Sequence, residues 1–427
     1  MSIAHQVYYQ TGSDEQSEPK KISSHSLCYT FNKMLSQAID RYSLVCPECH
    51  KTFDPARVQT YCTDCQSPLL AQYDLEYLRK TINRDVFRAR PHGMWRWHEL
   101  LPVNDANYRV SLGEGNTPLL KLPQISNSLD MHHLLLKDES LNPTGTFKAR
   151  GMASAVSKAV ELGTSEFVIP TAGNAGGALA FYAGRTGCQA HVYMPQDSPA
   201  PIQYEVRISG ADLHLVDGLI NDAARLASMD AAQHGWFDMS TFKEPYRVEG
   251  KKIMGYEIAE TLGWTLPDII IYPTGGGTGL VGMWKAFDEM QTLGWIDAKR
   301  PRMVSVQAEG CAPVVRAFQA GTERIEPWQH AVTIASGLRV PAVFADRLVM
   351  RCLYQSNGNA VSVTDEEILA AQQELANSEG ILSAPEGAAP LAALHKLIEN
   401  GWCKVNETVV LLNTGTGLKY YPGNHDA

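Results

Sequence analysis

The chain has 427 residues, 44% hydrophobic and 19% charged, with 37 basic against 46 acidic side chains for a formal net charge of −9. This is globular composition for two or three domains of about 100 to 200 residues, and its acidity makes a nucleic-acid partner unexpected. No run approaches the roughly 18 to 20 apolar residues of a membrane span, so no membrane partner is expected either.

Residues 1–26 are polar, lack the apolar core of a signal peptide and the Arg-rich pattern of a transit peptide, and read as the flexible tail of a cytoplasmic protein. The segment 27–92 carries Cys46-Pro47-Glu48-Cys49 and, twelve residues later, Cys62-Thr63-Asp64-Cys65. Two residues between cysteines let a tight knuckle turn both thiolates to one point, and two knuckles complete a tetrahedral sulfur shell for zinc. Four thiolates leave no open position for substrate, so Cys46, Cys49, Cys62 and Cys65 are expected to hold a structural zinc. The alternative is a ribbon that has lost its metal and packs its thiols as small apolar groups. Lys51-Thr52-Phe53 and Val58-Gln59-Thr60-Tyr61 are predicted ribbon strands. Cys28, Cys188, Cys311, Cys352 and Cys403 stand alone, which suits a reducing compartment.

From residue 93 to 427 short apolar runs alternate with helical patterns. Strands are predicted at 134–137, 167–170, 190–194, 268–272, 303–306 and 408–412. Helices are predicted at 149–162, about 175–186, around 203–209, and at 279–290 and 312–319. Alternation of this kind indicates α/β architecture with a mainly parallel sheet, whose ligands sit beyond the carboxyl ends of the strands. Glu249 and Glu257 fall on a helix-like stretch and read as a solvated face, while His98, His191 and His214 show no spacing that groups them with metal ligands.

Three strand-end motifs stand out. The run Asn142-Pro143-Thr144-Gly145-Thr146-Phe147-Lys148-Ala149-Arg150 puts a lysine at the opening of a helix, where the positive end of the dipole favours the neutral amine and so a Schiff base. Thr171-Ala172-Gly173-Asn174-Ala175-Gly176-Gly177 places an amide at a strand-to-helix turn. Pro273-Thr274-Gly275-Gly276-Gly277-Thr278-Gly279 has the glycines that let backbone N–H groups converge on a phosphate at a helix N-terminus, without the GxxxxGK[ST] order of a nucleotide loop.

In this order the motifs resemble the pyridoxal-phosphate enzymes of the tryptophan synthase β-like fold, and among them the threonine synthases. Met94-Trp95-Arg96-Trp97, the segment Ser111 to Leu119, Glu386-Gly387-Ala388-Ala389 and Thr414-Gly415-Thr416-Gly417-Leu418-Lys419 are similar to further motifs of that family, some of whose members carry an N-terminal zinc ribbon. The resemblance implies two three-layer αβα subdomains, the smaller at about 152–242, and a homodimer. It implies pyridoxal 5′-phosphate held on Lys148, with Asn174 at the ring hydroxyl, Gly275, Gly276, Gly277, Thr278 and Gly279 at the phosphate, and Thr414 at the pyridine nitrogen. The implied reaction converts a small amino-acid substrate, O-phospho-L-homoserine, with water to L-threonine and phosphate. Ala149 and the triple glycine are also seen in serine and threonine dehydratases, and Ala175 stands where well-studied synthases usually have threonine, so a dehydratase stays open as an alternative, as does a replacement enzyme using O-phosphoserine. For a phosphorylated substrate a second anion site is needed, and Thr144, Thr146 and Arg150 are the candidates by type, with Arg207 more simply a solvated helix residue.

Overall fold

The computed structural model describes residues 41–420. The expected tail 1–26, Cys28 and the first part of the segment 27–92 lie outside the described residues. The described chain begins with a three-stranded antiparallel sheet, β2-β1-β3, built from β1 (Tyr42–Val45), β2 (Thr52–Phe53) and β3 (Leu70–Tyr73). The strand predicted at 51–53 forms over Thr52–Phe53, but the one at 58–61 does not. Tyr61 makes a single bridge to Pro68, the Asp54 carboxylate takes the Ala56 N–H in a local turn, and Val58 is 47% exposed. The place of the strand expected at 58–61 is taken by β1 and β3, whose Tyr42, Leu44, Ala71 and Tyr73 alternate into the core.

The body holds a six-stranded sheet of order β12-β11-β10-β13-β5-β4 and a four-stranded sheet of order β8-β7-β6-β9. The strands are β4 (Leu119–Lys121), β5 (Leu134–Asp138), β6 (Glu166–Pro170), β7 (Gln189–Pro195), β8 (Asp212–Val216), β9 (Phe237–Asp238), β10 (Ile269–Pro273), β11 (Arg302–Ala308), β12 (Asn359–Val363) and β13 (Val409–Asn413). All pairings in both sheets are parallel except that of β4 with β5. Strand β10 explains why such runs are apolar throughout: Ile269 and Ile271 enter one core with Val409, Leu411 and Leu394, while Ile270 and Tyr272 enter the other with Val410 and Leu412. Helices cover both faces, so neither side of the strand meets water.

Two helices matter most for the cleft. Lys148–Glu161 and Arg247–Thr261 pack against each other so closely that a Cβ on Gly250 would lie 2.0 Å from the Arg150 carbonyl oxygen, and the second also packs on the helix Thr278–Thr292. Almost the whole of Arg247–Thr261 is therefore buried, charged residues included. This corrects the reading of Glu249 and Glu257 as a solvated face: they are 0% and 2% exposed.

Candidate active site

A cleft opens at the carboxyl ends of β6, β10 and β13, lined by Lys148, by the turn from Pro170 to Ala175, by Pro273 to Thr278, and by Thr414 and Gly415. Lys148 reaches it because its loop is stitched to the segment after β13. The Phe147 N–H donates to the Thr414 carbonyl (3.1 Å), the Thr416 N–H donates to the Gly145 carbonyl (2.9 Å), and Thr146 pairs with Gly415 as an antiparallel bridge. Gly145 has φ +65° and a Cβ there would lie 2.6 Å from Thr416 Cγ2, so only glycine lets the two loops meet. This contact joins the segments that follow the neighbouring strands β5 and β13, and so brings Thr414 beside a lysine 266 positions earlier in the chain.

The Lys148 amine sits 4.0 Å from the centroid of the Phe147 ring. Burial lowers its pKa to about 7, the Arg247 guanidinium adds to the effect, and Glu386 opposes it. Burial thus outweighs the helix-dipole argument made from sequence, with the same sign: the amine is available as a nucleophile near neutrality.

Asn174, at the start of the helix Asn174–Thr186, is held from the far end of the described chain. Its Nδ2 donates to the Tyr420 hydroxyl (2.8 Å) and its Oδ1 accepts from Lys419 Nζ (3.2 Å). Lys419 also pairs with Glu205 at 2.6 Å, and Tyr420 donates to Glu386 Oε1 at 2.9 Å. The second oxygen of Glu386, Oε2, is buried without a partner, and burial raises the pKa of this carboxyl.

The glycine loop passes the test of fitting a phosphate. A Cβ would lie 2.5 Å from the Gly337 oxygen at Gly275, 2.5 Å from Thr241 Cγ2 at Gly276 and 2.3 Å from Val349 Cγ2 at Gly277, whose φ is +80°. No side chain fits between loop and cleft, so the backbone itself faces a ligand, and it does so at the N-terminus of Thr278–Thr292. Lys251, fully buried, donates to Thr278 Oγ1 (2.5 Å), and burial with the neighbouring Arg247 and Lys148 charges drives its pKa far down. Gly279 is different: it lies within the helix, does not line the cleft, and is glycine because a Cβ would strike the Tyr272 hydroxyl at 2.1 Å.

The candidates for a second anion site divide. Arg150 is withdrawn from the cleft, which corrects the expectation: it is 0% exposed, and its Nε, Nη1 and Nη2 all donate to Glu139, Glu257 or Thr117. Thr146 Oγ1 accepts from the Lys148 N–H, which makes it a cap of the lysine helix. Thr144 has φ +61° and a buried, unpartnered Oγ1, but it is not among the residues that line the cleft. Arg207 is exposed. Sequence reasoning missed Arg247, which lines the cleft, is 1% exposed, and has one nitrogen on the Met239 carbonyl (2.6 Å) while its Nε makes no hydrogen bond and lies 4.0 Å from Glu244 Oε1. It also missed Glu386 as a polar group in the cleft and the loop Ser336–Val340 that closes one side.

The four ribbon cysteines converge. Their sulfur atoms lie within 4.8 Å of one another, with Cys46–Cys65 at 3.2 Å, Cys49–Cys62 at 3.7 Å and Cys49–Cys65 at 3.8 Å. Four sulfurs at zinc-bond length from one centre stand about 3.8 Å apart, so the donor set fits that ion. Both knuckles have the same backbone form, with a positive-φ residue, His50 or Gln66, directly after the second cysteine.

A model of the family described as "Pyridoxal-phosphate dependent enzyme" matches residues 110–415. A threonine synthase of Methanocaldococcus jannaschii is 35% identical over 375 residues, 88% of this chain and 92% of the relative. One of Mycobacterium bovis is 36% identical over 324 residues, 76% and 87% of the two chains. Among solved structures, maize serine racemase superposes with a TM-score of 0.62 at 21% identity, covering 71% of this chain and 88% of that one, a likeness of fold.

Proposed function

The chain belongs to the pyridoxal-phosphate dependent enzymes and, within them, to the threonine synthases, and from that premise we propose that it converts O-phospho-L-homoserine and water to L-threonine and phosphate in the cleft around Lys148. The observation that carries the reading is a cleft with two separate places for anions. One is the glycine loop at the start of Thr278–Thr292, and the other is the half-satisfied guanidinium of Arg247.

Pyridoxal phosphate, when bound, supplies the electron sink that makes the substrate Cα–H acidic. The residues present supply the rest. Lys148 holds the cofactor through its amine and then carries protons at the substrate Cα and Cβ, a task for which an amine poised near neutrality is suited. Asn174 offers its amide to the ring hydroxyl, Gly275, Gly276, Gly277 and Thr278 offer backbone N–H groups to the cofactor phosphate, and Thr414 offers its hydroxyl to the ring nitrogen. Arg247 takes the substrate phosphate and steadies it as it leaves Cγ, before water adds at Cβ. Glu386, whose pKa burial raises, is placed to donate a proton or to receive one.

The four-cysteine site we read as structural zinc, with 27–92 as a ribbon segment and 93–427 as the catalytic body, its smaller subdomain near 152–242. Homodimer assembly rests on the family alone. Cytoplasmic location is supported by the unpaired Cys188, Cys311, Cys352 and Cys403, and no helix among the described residues is long and apolar enough to cross a membrane. The test is to supply O-phosphohomoserine and measure products: phosphate and threonine in equal amounts are expected. Ammonia and a 2-oxo acid from threonine, without turnover of the phosphorylated substrate, overturn the assignment in favour of a dehydratase.

A further inference from the structure

The helix Asp346–Gln355 touches the ribbon on one side and the glycine loop on the other. Arg347 and Arg351, four residues apart and so stacked on one helix face, close together on Glu48, which stands between the first two cysteines. Arg347 Nη1 is 2.5 Å from Glu48 Oε2, and Arg351 lies 2.8 Å from Oε1 and 2.9 Å from Oε2. Burial alone would raise the Glu48 pKa, but the two guanidiniums hold it below the usual range. Phe344, just before the helix, meets Tyr61 of the ribbon edge-on at 5.5 Å. On the inner face Val349, 0% exposed, presses on Gly277 so closely that a Cβ there would be 2.3 Å from its Cγ2, and Cys352 Sγ contacts the Leu280 carbonyl at 3.9 Å.

We propose that the Glu48–Arg347–Arg351 clasp couples metal binding in the ribbon to the cofactor loop, so that zinc on the four cysteines raises the affinity of Gly275–Thr278 for the phosphate of pyridoxal phosphate. The proposal rests on the two readings given above for those sites. Its logic is mechanical. Without an ion the four thiols share no ligand, and the knuckle that aims Glu48 loses its restraint. The arginines then lose a fixed partner and with it the seat of their helix. Val349 is already in contact with the loop backbone, in packing too dense to absorb a shift, so the displacement reaches the glycine amides. Coupling of this kind is reciprocal: bound cofactor must tighten the hold on zinc by the same factor.

The experiment takes full-length protein stripped of cofactor, with and without zinc, and titrates it with pyridoxal phosphate, reading the visible absorbance of cofactor joined to Lys148. Zinc-loaded protein is expected to bind the cofactor at least about fivefold more tightly, the lower end of ordinary coupling between sites. Zinc taken up by a competing chelator should show the same factor when cofactor is added. The double variant Arg347→Ala with Arg351→Ala should keep its zinc but bind cofactor as weakly as metal-free protein, and Arg347→Lys with Arg351→Lys should recover part of the affinity. Absence of cofactor binding in either metal state overturns the active-site reading, and absence of zinc binding overturns the metal reading. Equal cofactor affinity with and without zinc overturns the coupling alone. If metal removal unfolds the chain, the zinc-loaded double alanine variant decides by itself: unchanged cofactor affinity refutes the clasp.

Discussion

Two clusters of buried charge share the same pair of helices, and they are finished differently. In the first, Arg150 and Lys137 face Glu139 and Glu257. Arg150 donates to both carboxylates at 2.6 to 2.8 Å and Lys137 reaches Glu257 at 2.7 Å, so two cations meet two anions. Burial would raise the Glu257 pKa, yet the Arg150 and Lys137 charges hold it far down. In the second, within one turn along the Lys148 helix and about two to three turns back from Glu257 along the other, Lys148, Arg247 and Lys251 gather with Glu244 and Glu386. Here Arg247 Nε and Glu244 Oε1 face each other only at 4.0 Å, neither they nor Glu386 Oε2 has a hydrogen-bond partner, burial raises the Glu244 pKa to about 7, and burial lowers the pKa of Lys148 and Lys251. Residue types and burial are alike. What differs is completeness: the first cluster is closed within the protein and binds helices together, while the second leaves donors open for anionic ligands.

The largest effect expected from breaking this contrast is in the open cluster. Lys148→Ala should lower turnover of the phosphorylated substrate by about 10⁴-fold, the upper end of the cost of losing a general acid–base group, and abolish the visible cofactor absorbance. The cofactor-free variant should unfold in urea no earlier than the cofactor-free parent at neutral pH, because the fold bears the cost of holding that amine uncharged. The closed cluster should respond the opposite way. Glu257→Ala leaves Arg150 and Lys137 short of a partner in the interior and should cost about 3 to 5 kcal/mol of stability by denaturant unfolding. Loss of activity there should track loss of fold. A Glu257→Ala protein of parental stability would show that the network is not a stitch.

Arg247→Met comes next, with kcat/KM for O-phosphohomoserine down by about 10²-fold, the scale of an unpaired charge contact to a substrate, and stability little changed. It also tests the electrostatics. Lys148 has its pKa lowered to about 7 from an ordinary 10.5, so the unfolded chain holds the extra proton between those values and the folded chain does not. Cofactor capture should therefore rise with pH through about 7, and the cofactor-free fold should gain stability as pH climbs from there towards 10.5. Removing the Arg247 charge takes away a positive neighbour, so in the variant the rise in capture must move to higher pH. A midpoint that stays put would mean that burial alone sets it.

Much of this was legible in the chain. The parallel strands are written as unbroken apolar runs such as Ile269-Ile270-Ile271, the convergence of the four ribbon cysteines by their spacing, and the places of Lys148, Asn174 and the glycine loop in the cleft by their positions at strand ends. The helix Arg247–Thr261 was not legible, because Arg247, Glu249, Lys251, Lys252 and Glu257 look like a wet face when read one by one. The signal lay in the glycines: Gly250 against the Arg150 backbone, Gly255 against Ala286, and Gly282 against the backbone of Val248 and Lys252 mark helices too close for water between them. Charge buried by such approach must find charge, and only tertiary structure says which. Arg150 was misassigned for the same reason, since its partners Glu139 and Glu257 stand 11 and 107 positions away. Tyr420 carried no local signal, as a phenol near the end of a chain has no preferred partner.

That tyrosine gives the smallest and most discriminating test. Its hydroxyl accepts from Asn174 and donates to Glu386, joining two groups of the open cluster across the cleft. Tyr420→Phe keeps the ring and removes only the two hydrogen bonds. If they merely held the chain together, the loss would appear in the denaturation midpoint. If the cluster is a site kept ready for ligand, Asn174 should lose its fixed orientation and cofactor affinity should fall by about fivefold, the worth of roughly one net hydrogen bond, with KM for the substrate nearly constant and stability unmoved. Glu386, freed of a donor, has less to hold its carboxylate charged, so its already raised pKa should climb further and the alkaline side of the pH–rate profile should move up with it. A fall in stability without either change would make this hydroxyl the counterpart of Arg150, and the two clusters would then differ in degree rather than in kind.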